Sequence, residues 1–147
     1  MYDKILVTTD GSTLSKKAVR SAIQFALATG AQLMVLHVVP RYPVSYFEGA
    51  VAMSPDELAR TEKVWSDKGQ ELVDGAVRLA HSAGVAAKGM IMTSDLVAES
   101  IVSATKKHKC DLVIMASHGR KGIKRLLLGS ETQHVLTHST VPVLVLR

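Results

Sequence analysis

Short apolar runs alternate with longer segments of helical periodicity along this chain of 147 residues. The short runs are rich in β-branched and other apolar residues, which is typical of strands buried on both faces. The predicted strands cover residues 4–9, 33–39, 85–92, 111–116 and 141–146. The longer segments repeat their apolar residues at helical spacing. The predicted helices cover residues 12–29, 54–81, 94–107 and 130–137.

Capping signals mark the ends of several of these segments. Ser54 followed by Pro55 and, three residues on, Glu57 has the pattern of a capping box with proline at the first helical position. Ser94-Asp95 and Ser130 are expected to cap the next two helices. Arg41 to Met53, with its prolines and Gly49, reads as a surface loop.

Strands that alternate with helices predict an α/β fold with right-handed crossovers and helices on both faces of a parallel sheet. We expect a single domain over residues 1–147, with an open five-stranded sheet in the order 3-2-1-4-5. Ligands of such sheets bind beyond the carboxyl ends of the strands, where the strand order reverses. The turn at 8–11 should therefore lie beside the loop at 116–129.

The loop after the fourth strand has the chemistry of a phosphate cradle. Gly119 and Gly129-Ser130 bracket four cations, Arg120, Lys121, Lys124 and Arg125. Glycines let the backbone approach a ligand closely, and a helix N-terminus attracts phosphate. Such a cluster of cations is more often a solvated loop face, but its position at the predicted switch point favours anion binding.

Composition narrows the choice of partner. The formal net charge of +5 favours anionic ligands, whereas aromatic residues make up only 4% of the chain and offer little for stacking single-stranded nucleic acid. Nucleic acid is therefore an unlikely partner. Cys110 is the only cysteine, which excludes an intrachain disulfide and suggests an inert core residue. With neither a leader nor a spanning segment recognisable, we expect a cytoplasmic protein without a membrane partner.

The chain resembles the universal stress protein family over essentially its whole length. The resemblance rests on the opening run 5–12, the segment Leu36-His37-Val38, the turn 117–120, Gly129-Ser130 and the closing run 141–146. The ATP-binding branch has a glycine, two residues, a second glycine, nine residues and then Gly-Ser or Gly-Thr. Here Gly119, nine residues and Gly129-Ser130 match, while Ala116 stands in the first glycine position. The resemblance implies an adenine nucleotide alpha-hydrolase-like fold and ATP binding that survives this alanine.

The same resemblance implies the members of the site. Asp10 would lie near the ribose, Thr8 and Thr9 would wall the adenine side, and the backbone of Val38 would bond the adenine edge. The remaining expected residues belong to the loop or surround the phosphates: Ala116, Ser117, His118, Gly119, Arg120, Gly129, Ser130, Glu131 and Thr132. Mg²⁺ would bind through phosphate oxygens and water rather than through a protein cage. A homodimer through the C-terminal strand, Val141–Leu146, is also implied.

Other interpretations compete with this one. Asp10 could simply cap the first helix, and on the residues alone that role and ligand contact are equally favoured. For most of the histidines a structural or helix-dipole role is the first interpretation. His37 is expected to be buried with a hydrogen-bond partner, and no metal-ligand set is predicted. His118 alone falls in the expected site.

The function hypotheses are an ATP-binding regulatory protein of the stress response, a slow ATPase or autokinase, and a nucleotide-free dimeric adaptor. The chain has no Walker motif, and no general base is evident beside the cations, which disfavours efficient turnover. A phospho-acceptor receiver needs an acidic pair after the first strand, whereas Asp10 is followed by Gly11.

Overall fold

All five predicted strands and all four predicted helices are present. The computed structural model describes residues 1–41, 54–119 and 128–147. The elements are β1 Lys4–Thr8, α1 Thr13–Thr29, β2 Gln32–Val39, α2 Pro55–Ser82, β3 Ala87–Thr93, α3 Val97–Lys107, β4 Leu112–Ala116, α4 Ser130–His138 and β5 Val143–Leu146. Most of the predicted loop at 41–53 lies outside the described residues.

The strands form one parallel sheet in the order β3-β2-β1-β4-β5, which confirms the predicted topology. The order in which strands are added to the sheet reverses at β1. There Leu6 pairs with Met34 of β2 on one side and with Val113 of β4 on the other. The carboxyl ends of β1 and β4 therefore border the switch point, the usual ligand crevice of this architecture.

Alternate residues of the central strands feed two separate cores, because successive side chains of a strand point to opposite faces. Ile5 and Val7 of β1 pack with Ala18 and Ala22 of α1 and with Val73 of α2. The second core lies on the other face and contains Leu6 and Val113 with residues of α3 and α4: Ala98, Ile101, Ala104 and Val135. Both faces of the sheet are thus covered by helices, as the continuous apolar runs predict.

Cys110 belongs to the second core and is buried, as predicted. Burial raises the pKa of its thiol to about 11. The positive charge of Lys4 lowers this pKa in part, and the negative charge of Asp111 raises it by a smaller amount. The reactive thiolate is therefore scarce at neutral pH, so the residue is inert. Among the described helices, none is long and apolar enough to cross a membrane.

Helix capping agrees with the sequence at α2 and differs at α3 and α4. Ser54 and Glu57 form the complete capping box. Ser94 and Asp95 were expected to cap α3, but its N-cap is Leu96, because the Ser94 hydroxyl instead accepts the Leu96 N–H in a preceding turn. Ser130 does not cap α4 either; the N-cap is Gly129 and Ser130 is the first helical residue.

The last strand begins two residues later than predicted, at Val143. Before it, the Ser139 hydroxyl donates to the Val141 carbonyl and accepts the Val141 N–H, which holds Val141 in a turn. Pro142 has no N–H to donate to a ladder, although its carbonyl accepts a bond from Val113. The strand can therefore start only after the proline.

Candidate functional site

The turn after β1 is built from short polar side chains. The Asp10 carboxylate accepts the Ser12 N–H at 2.9 Å, and the Thr9 hydroxyl accepts the Gly11 N–H at 3.3 Å. Gly11 has a φ of 81°, a conformation that suits glycine. Ser12 is the N-cap of α1, its hydroxyl accepting the Ser15 N–H. Asp10 is therefore not the helix cap, and it supports the turn that leads to the cap.

Ser15 connects the members of this turn. Its buried hydroxyl donates to the Ser12 carbonyl at 3.0 Å, accepts the Asp10 N–H at 3.3 Å and lies 3.1 Å from the Thr9 hydroxyl. Because buried polar groups are costly when left unpaired, this set of bonds fixes the backbone around Asp10. Sequence reasoning did not select Ser15, although a serine three residues after a serine N-cap was an available signal.

The junction after β4 is held by neighbouring backbone groups. The Ser117 N–H donates to the Leu146 carbonyl at 2.7 Å, and the Ser117 carbonyl accepts the Gly129 N–H at 2.7 Å. The buried Thr132 hydroxyl lies within hydrogen-bond distance of the carbonyls of Ala116 and Ser117, at 3.0 and 3.1 Å. Strand β5 and helix α4 thus fix both ends of the loop. Arg120 and the other three cations of the loop lie outside the described residues.

The two junctions meet at Asp10 and Gly119. A β-carbon placed on Gly119 would lie 2.5 Å from Asp10 Oδ2, so the carboxylate would have to move away to admit it. A β-carbon on Gly129 would lie 3.2 Å from the Ser117 carbonyl oxygen and 3.4 Å from His118 Cα. The φ of Gly129 is −61°, which any residue adopts. Close approach, rather than an unusual backbone conformation, is therefore the reason for glycine at both positions.

Helix α4 starts at this meeting point. Its first hydrogen bond within the helix joins the Gln133 N–H to the Gly129 carbonyl. The N–H groups of Ser130, Glu131 and Thr132 consequently have no acceptor within the helix, and the helix dipole is positive there. This end of α4 has the properties of an anion site beside the two glycines.

The Glu131 side chain points to another helix. Its carboxylate accepts the Ala98 N–H at 2.8 Å, in the first turn of α3. It thereby supplies the acceptor that the N-cap Leu96 lacks, and a carboxylate at that position also complements the dipole of α3. Glu131 lies near the site through its backbone, while its charge serves the packing of α3 on α4.

Val38 presents its peptide groups toward the same crevice. The Leu36 carbonyl accepts the Thr9 N–H, and the Val39 carbonyl accepts the Ser94 N–H from beyond β3. Because peptide groups alternate sides along a strand, those of Val38 face the β1 side, as those of Leu36 do. Since β1 ends at Thr8, the peptide groups of Val38 lie just past the end of that strand.

His37 fastens β2 to the turn after β1. Its Nδ1 lies 2.7 Å from the Thr9 carbonyl oxygen; since a carbonyl only accepts, the ring nitrogen carries the proton. Gly69 of α2 allows the ring to sit there, because a β-carbon on Gly69 would lie 2.8 Å from His37 Cδ2. This bond confirms the prediction that His37 has a hydrogen-bond partner, although the ring is only partly buried and not fully buried as expected. Its link to the site was not predicted.

Most of the expected residues are gathered at this edge of the sheet. Thr9, Asp10, Ser117, Gly119, Gly129 and Thr132 are joined by the contacts above, and His118 adds a 3.2 Å contact from Nδ1 to the Ser117 hydroxyl. Ala116 is buried as the last residue of β4. A separate groove of about 270 Å³ lies between α1 and α2, and of the expected residues only Thr9 lines it.

Residues 1–147 match the universal stress protein family. A universal stress protein of Methanocaldococcus jannaschii is 33% identical over 147 residues, which span all of this chain and 83% of that protein. The universal stress protein UspA of Lactobacillus plantarum superposes with a TM-score of 0.83 at 22% identity, over 99% of this chain and 98% of that one. The chain therefore belongs to the universal stress protein family.

Structures of related folds contain adenine nucleotides. A universal stress protein family member of Arabidopsis thaliana holds AMP; its TM-score is 0.69 at 21% identity, covering 98% of this chain and 90% of that one. A second universal stress protein is in complex with cAMP; its TM-score is 0.70 at 24% identity, covering 99% of this chain and 97% of that one. A third, from Archaeoglobus fulgidus, is in complex with dAMP; its TM-score is 0.67 at 15% identity, covering 99% of this chain and 98% of that one. The ligands of these three proteins share an adenine base and a phosphate.

Proposed function

We propose that this member of the universal stress protein family binds ATP between the turn after β1 and the loop after β4. The observation that carries the proposal is the contact of Asp10 with Gly119, where a β-carbon would lie 2.5 Å from the carboxylate oxygen. It brings a carboxylate, two glycines and the start of α4 to one crevice at the switch point. That combination suits a ligand with hydroxyl groups and phosphates.

The groups present fit an adenosine moiety. The peptide groups of Val38 face past the end of β1, and there they would pair with the edge of a purine base. Asp10 would accept hydrogen bonds from ribose hydroxyls, beside Thr8 and Thr9. Adenine is the base favoured here because the family members of known structure named above hold AMP, cAMP and dAMP.

The phosphates would be held by backbone groups. A β-carbon on Gly129 would lie 3.2 Å from the Ser117 carbonyl oxygen, so a larger residue would require that backbone group to shift. The first N–H groups of α4, at Ser130 to Thr132, have no acceptor in the helix. The described residues form no group of three or more histidine, cysteine or acidic side chains that could hold a metal ion. Mg²⁺ would bind through the phosphates and water, as it commonly does with nucleotides.

The acidic groups in this part of the described chain support a proposal of binding without efficient turnover. Hydrolysis requires a group that positions water at the γ-phosphate. The carboxylates within the described site are those of Asp10 and Glu131, and the second is bonded to the Ala98 N–H. Asp10 is assigned to the ribose. We therefore propose a regulatory protein that senses ATP, rather than a slow ATPase or autokinase.

A homodimer is part of the proposal. Strand β5 is the edge of the sheet next to β4, and Leu144 on it is 37% exposed. An apolar edge strand invites pairing with a second copy. Light scattering should give twice the mass of the chain, and Leu144→Glu should give the monomer mass. Leu27→Glu, on the exposed side of α1, is the matched control that should remain dimeric.

We propose that this dimer is located in the cytoplasm. The only cysteine of the chain is buried and unpaired, which agrees with a reducing compartment, where ATP is also available. Fractionation of cells that produce the full chain should recover it with cytoplasmic markers; recovery with secreted or membrane fractions would contradict this assignment.

Calorimetric titration tests the binding proposal. ATP with Mg²⁺ should bind once per chain, while GTP with Mg²⁺ should bind at least tenfold more weakly because its base edge differs. AMP tests how much of the affinity comes from the β- and γ-phosphates. Absence of ATP binding at millimolar ligand would refute the proposal and favour the nucleotide-free adaptor. If ATP binds, release of labelled ADP over hours would instead identify the slow ATPase.

A further inference from the structure

We propose that His134 and His138 of α4, with Glu99 of α3 beside them, form a binding site for a divalent transition metal ion such as Zn²⁺. His134 lies in the middle of α4, His138 is its last residue, and Glu99 is in the first turn of α3. The proposed nucleotide site is at the N-terminal end of α4. The proposal is independent of nucleotide binding.

The two histidines share one face of the helix. Residues four apart in an α-helix lie one above the other, which is the spacing of the paired histidine ligands of helical zinc sites. Here the ring centroids are 4.3 Å apart with the planes tilted by 36°. The rings therefore lie side by side on one face of a single helix.

A backbone carbonyl fixes the protonation of one ring. His138 Nδ1 lies 3.0 Å from the His134 carbonyl oxygen. Since the carbonyl can only accept, Nδ1 carries the proton and, in the neutral ring, Nε2 keeps its lone pair for a metal. Metal-binding histidines in proteins almost always donate their other ring nitrogen in this way.

Glu99 lies at a separation that suits a shared ion better than a direct bond. His134 Nε2 and Glu99 Oε1 are 3.6 Å apart, beyond ordinary hydrogen-bond length. Two ligands of a tetrahedral zinc ion with bonds of about 2.1 Å are separated by about 3.4 Å. A small movement of the exposed Glu99 side chain would bring its carboxylate into the metal shell.

Charge beside His138, the last residue of α4, also favours a cation. The last carbonyls of α4 have no partner within the helix, and the helix dipole is negative there. The carboxylate of Glu99 adds a negative charge. No group of three ligating side chains is already poised among the described residues, so the site starts as a two-imidazole chelate with water in its other positions. Imidazole ligands suit zinc, copper and nickel.

Calorimetric titration of the full, metal-free chain with ZnCl₂ at pH 7.5, without nucleotide, tests the proposal. One ion should bind per chain. His134→Ala and His138→Ala should each weaken binding at least tenfold, and Glu99→Gln by a smaller factor. His81→Ala, which removes an exposed histidine near the end of α2, is the control and should leave the affinity unchanged. Melting curves without metal confirm that each variant is folded.

Imidazole resonances in the unmutated chain give a second readout that needs no variant. Zn²⁺ should shift the ring signals of His134 and His138 together and leave those of His81 in place. No binding at millimolar Zn²⁺, or unchanged affinity in the His134→Ala/His138→Ala double variant, would overturn the proposal.

Discussion

The two junctions that meet at the candidate site are held in different ways. After β1, the turn is fixed by side-chain hydrogen bonds among Thr9, Asp10, Ser12 and Ser15, which are neighbours in sequence. After β4, the bonds involve mostly backbone groups and join distant parts of the chain, as in the bond from the Ser117 N–H to the Leu146 carbonyl.

Because they are held differently, the two junctions contribute different things to the candidate site. The first junction is a local structure that places one carboxylate, and its amino acids specify it directly. The second junction requires space for the backbone, which only the assembled sheet and α4 define. Substitutions should therefore affect the first through lost hydrogen bonds and the second through steric overlap.

The largest effect is expected from Gly129→Val. Its β-carbon would lie 3.2 Å from the Ser117 carbonyl oxygen, and the two added methyl groups would occupy the proposed phosphate space. Affinity for ATP should fall by at least about 100-fold, or about 2.7 kcal/mol, in calorimetry. Gly75→Ala is the control, because a β-carbon at Gly75 would meet only the end of Arg78, at 3.8 Å. A folded Gly129→Val protein with normal ATP affinity would show that the loop has another role.

Substitutions of Asp10 separate support of the turn from contact with a ligand. Asp10→Asn keeps an oxygen to accept the Ser12 N–H but removes the charge, so stability should change little while ATP affinity falls about tenfold, close to 1.4 kcal/mol. Asp10→Ala removes both functions and should lower stability as well. Melting temperature and calorimetry measure the two effects. Normal affinity in Asp10→Asn would leave the residue with a structural role alone.

Ser15→Ala tests the local network. It would leave the Asp10 N–H and the Thr9 hydroxyl without their shared partner in a buried position, so the free energy of unfolding should fall by about 1–3 kcal/mol. Urea denaturation measures this change. Ser103→Ala on the exposed side of α3 should change it by no more than about 0.5 kcal/mol. Equal effects at the two serines would contradict the importance assigned to Ser15.

The smallest effect is expected from Glu131→Gln. The neutral side chain still reaches the Ala98 N–H but loses the charge that complements the start of α3, which should cost about 0.3–1 kcal/mol of stability. ATP affinity should stay within about twofold, because the charge is directed at α3 and not at the ligand. A large change in affinity with unchanged stability would return the Glu131 carboxylate to the phosphate site.

The sequence predicted the strands, their order and the crevice, because these depend on apolar periodicity and on rules of connection that hold for any α/β sheet. It also predicted that the turn of Asp10 would lie beside the loop of the two glycines, as the approach of Gly119 to Asp10 shows. The roles of Glu131 and His37 depend on partners 33 and 28 residues away, Ala98 and Thr9. Such contacts exist only once the elements have packed, so a local sequence pattern cannot predict them.

Capping shows the same limit. The signal at Ser54 needs only its own helix and was predicted correctly. At α3, the acceptor comes from Glu131 on another helix, and at α4 the chain enters through Gly129, whose N–H is bonded to the Ser117 carbonyl. The starts of α3 and α4 therefore depend on tertiary contacts, whereas α1, which also borders the candidate site, is capped locally by Ser12.

Hydrogen exchange with and without ATP and Mg²⁺ tests most directly whether the two junctions form one site. Amide exchange should slow together in the segments 9–12 and 129–132 of the unmutated chain, and in neither segment of Gly129→Val. Slower exchange in only one of them, or along the groove between α1 and α2 instead, would contradict a single site shared by both junctions.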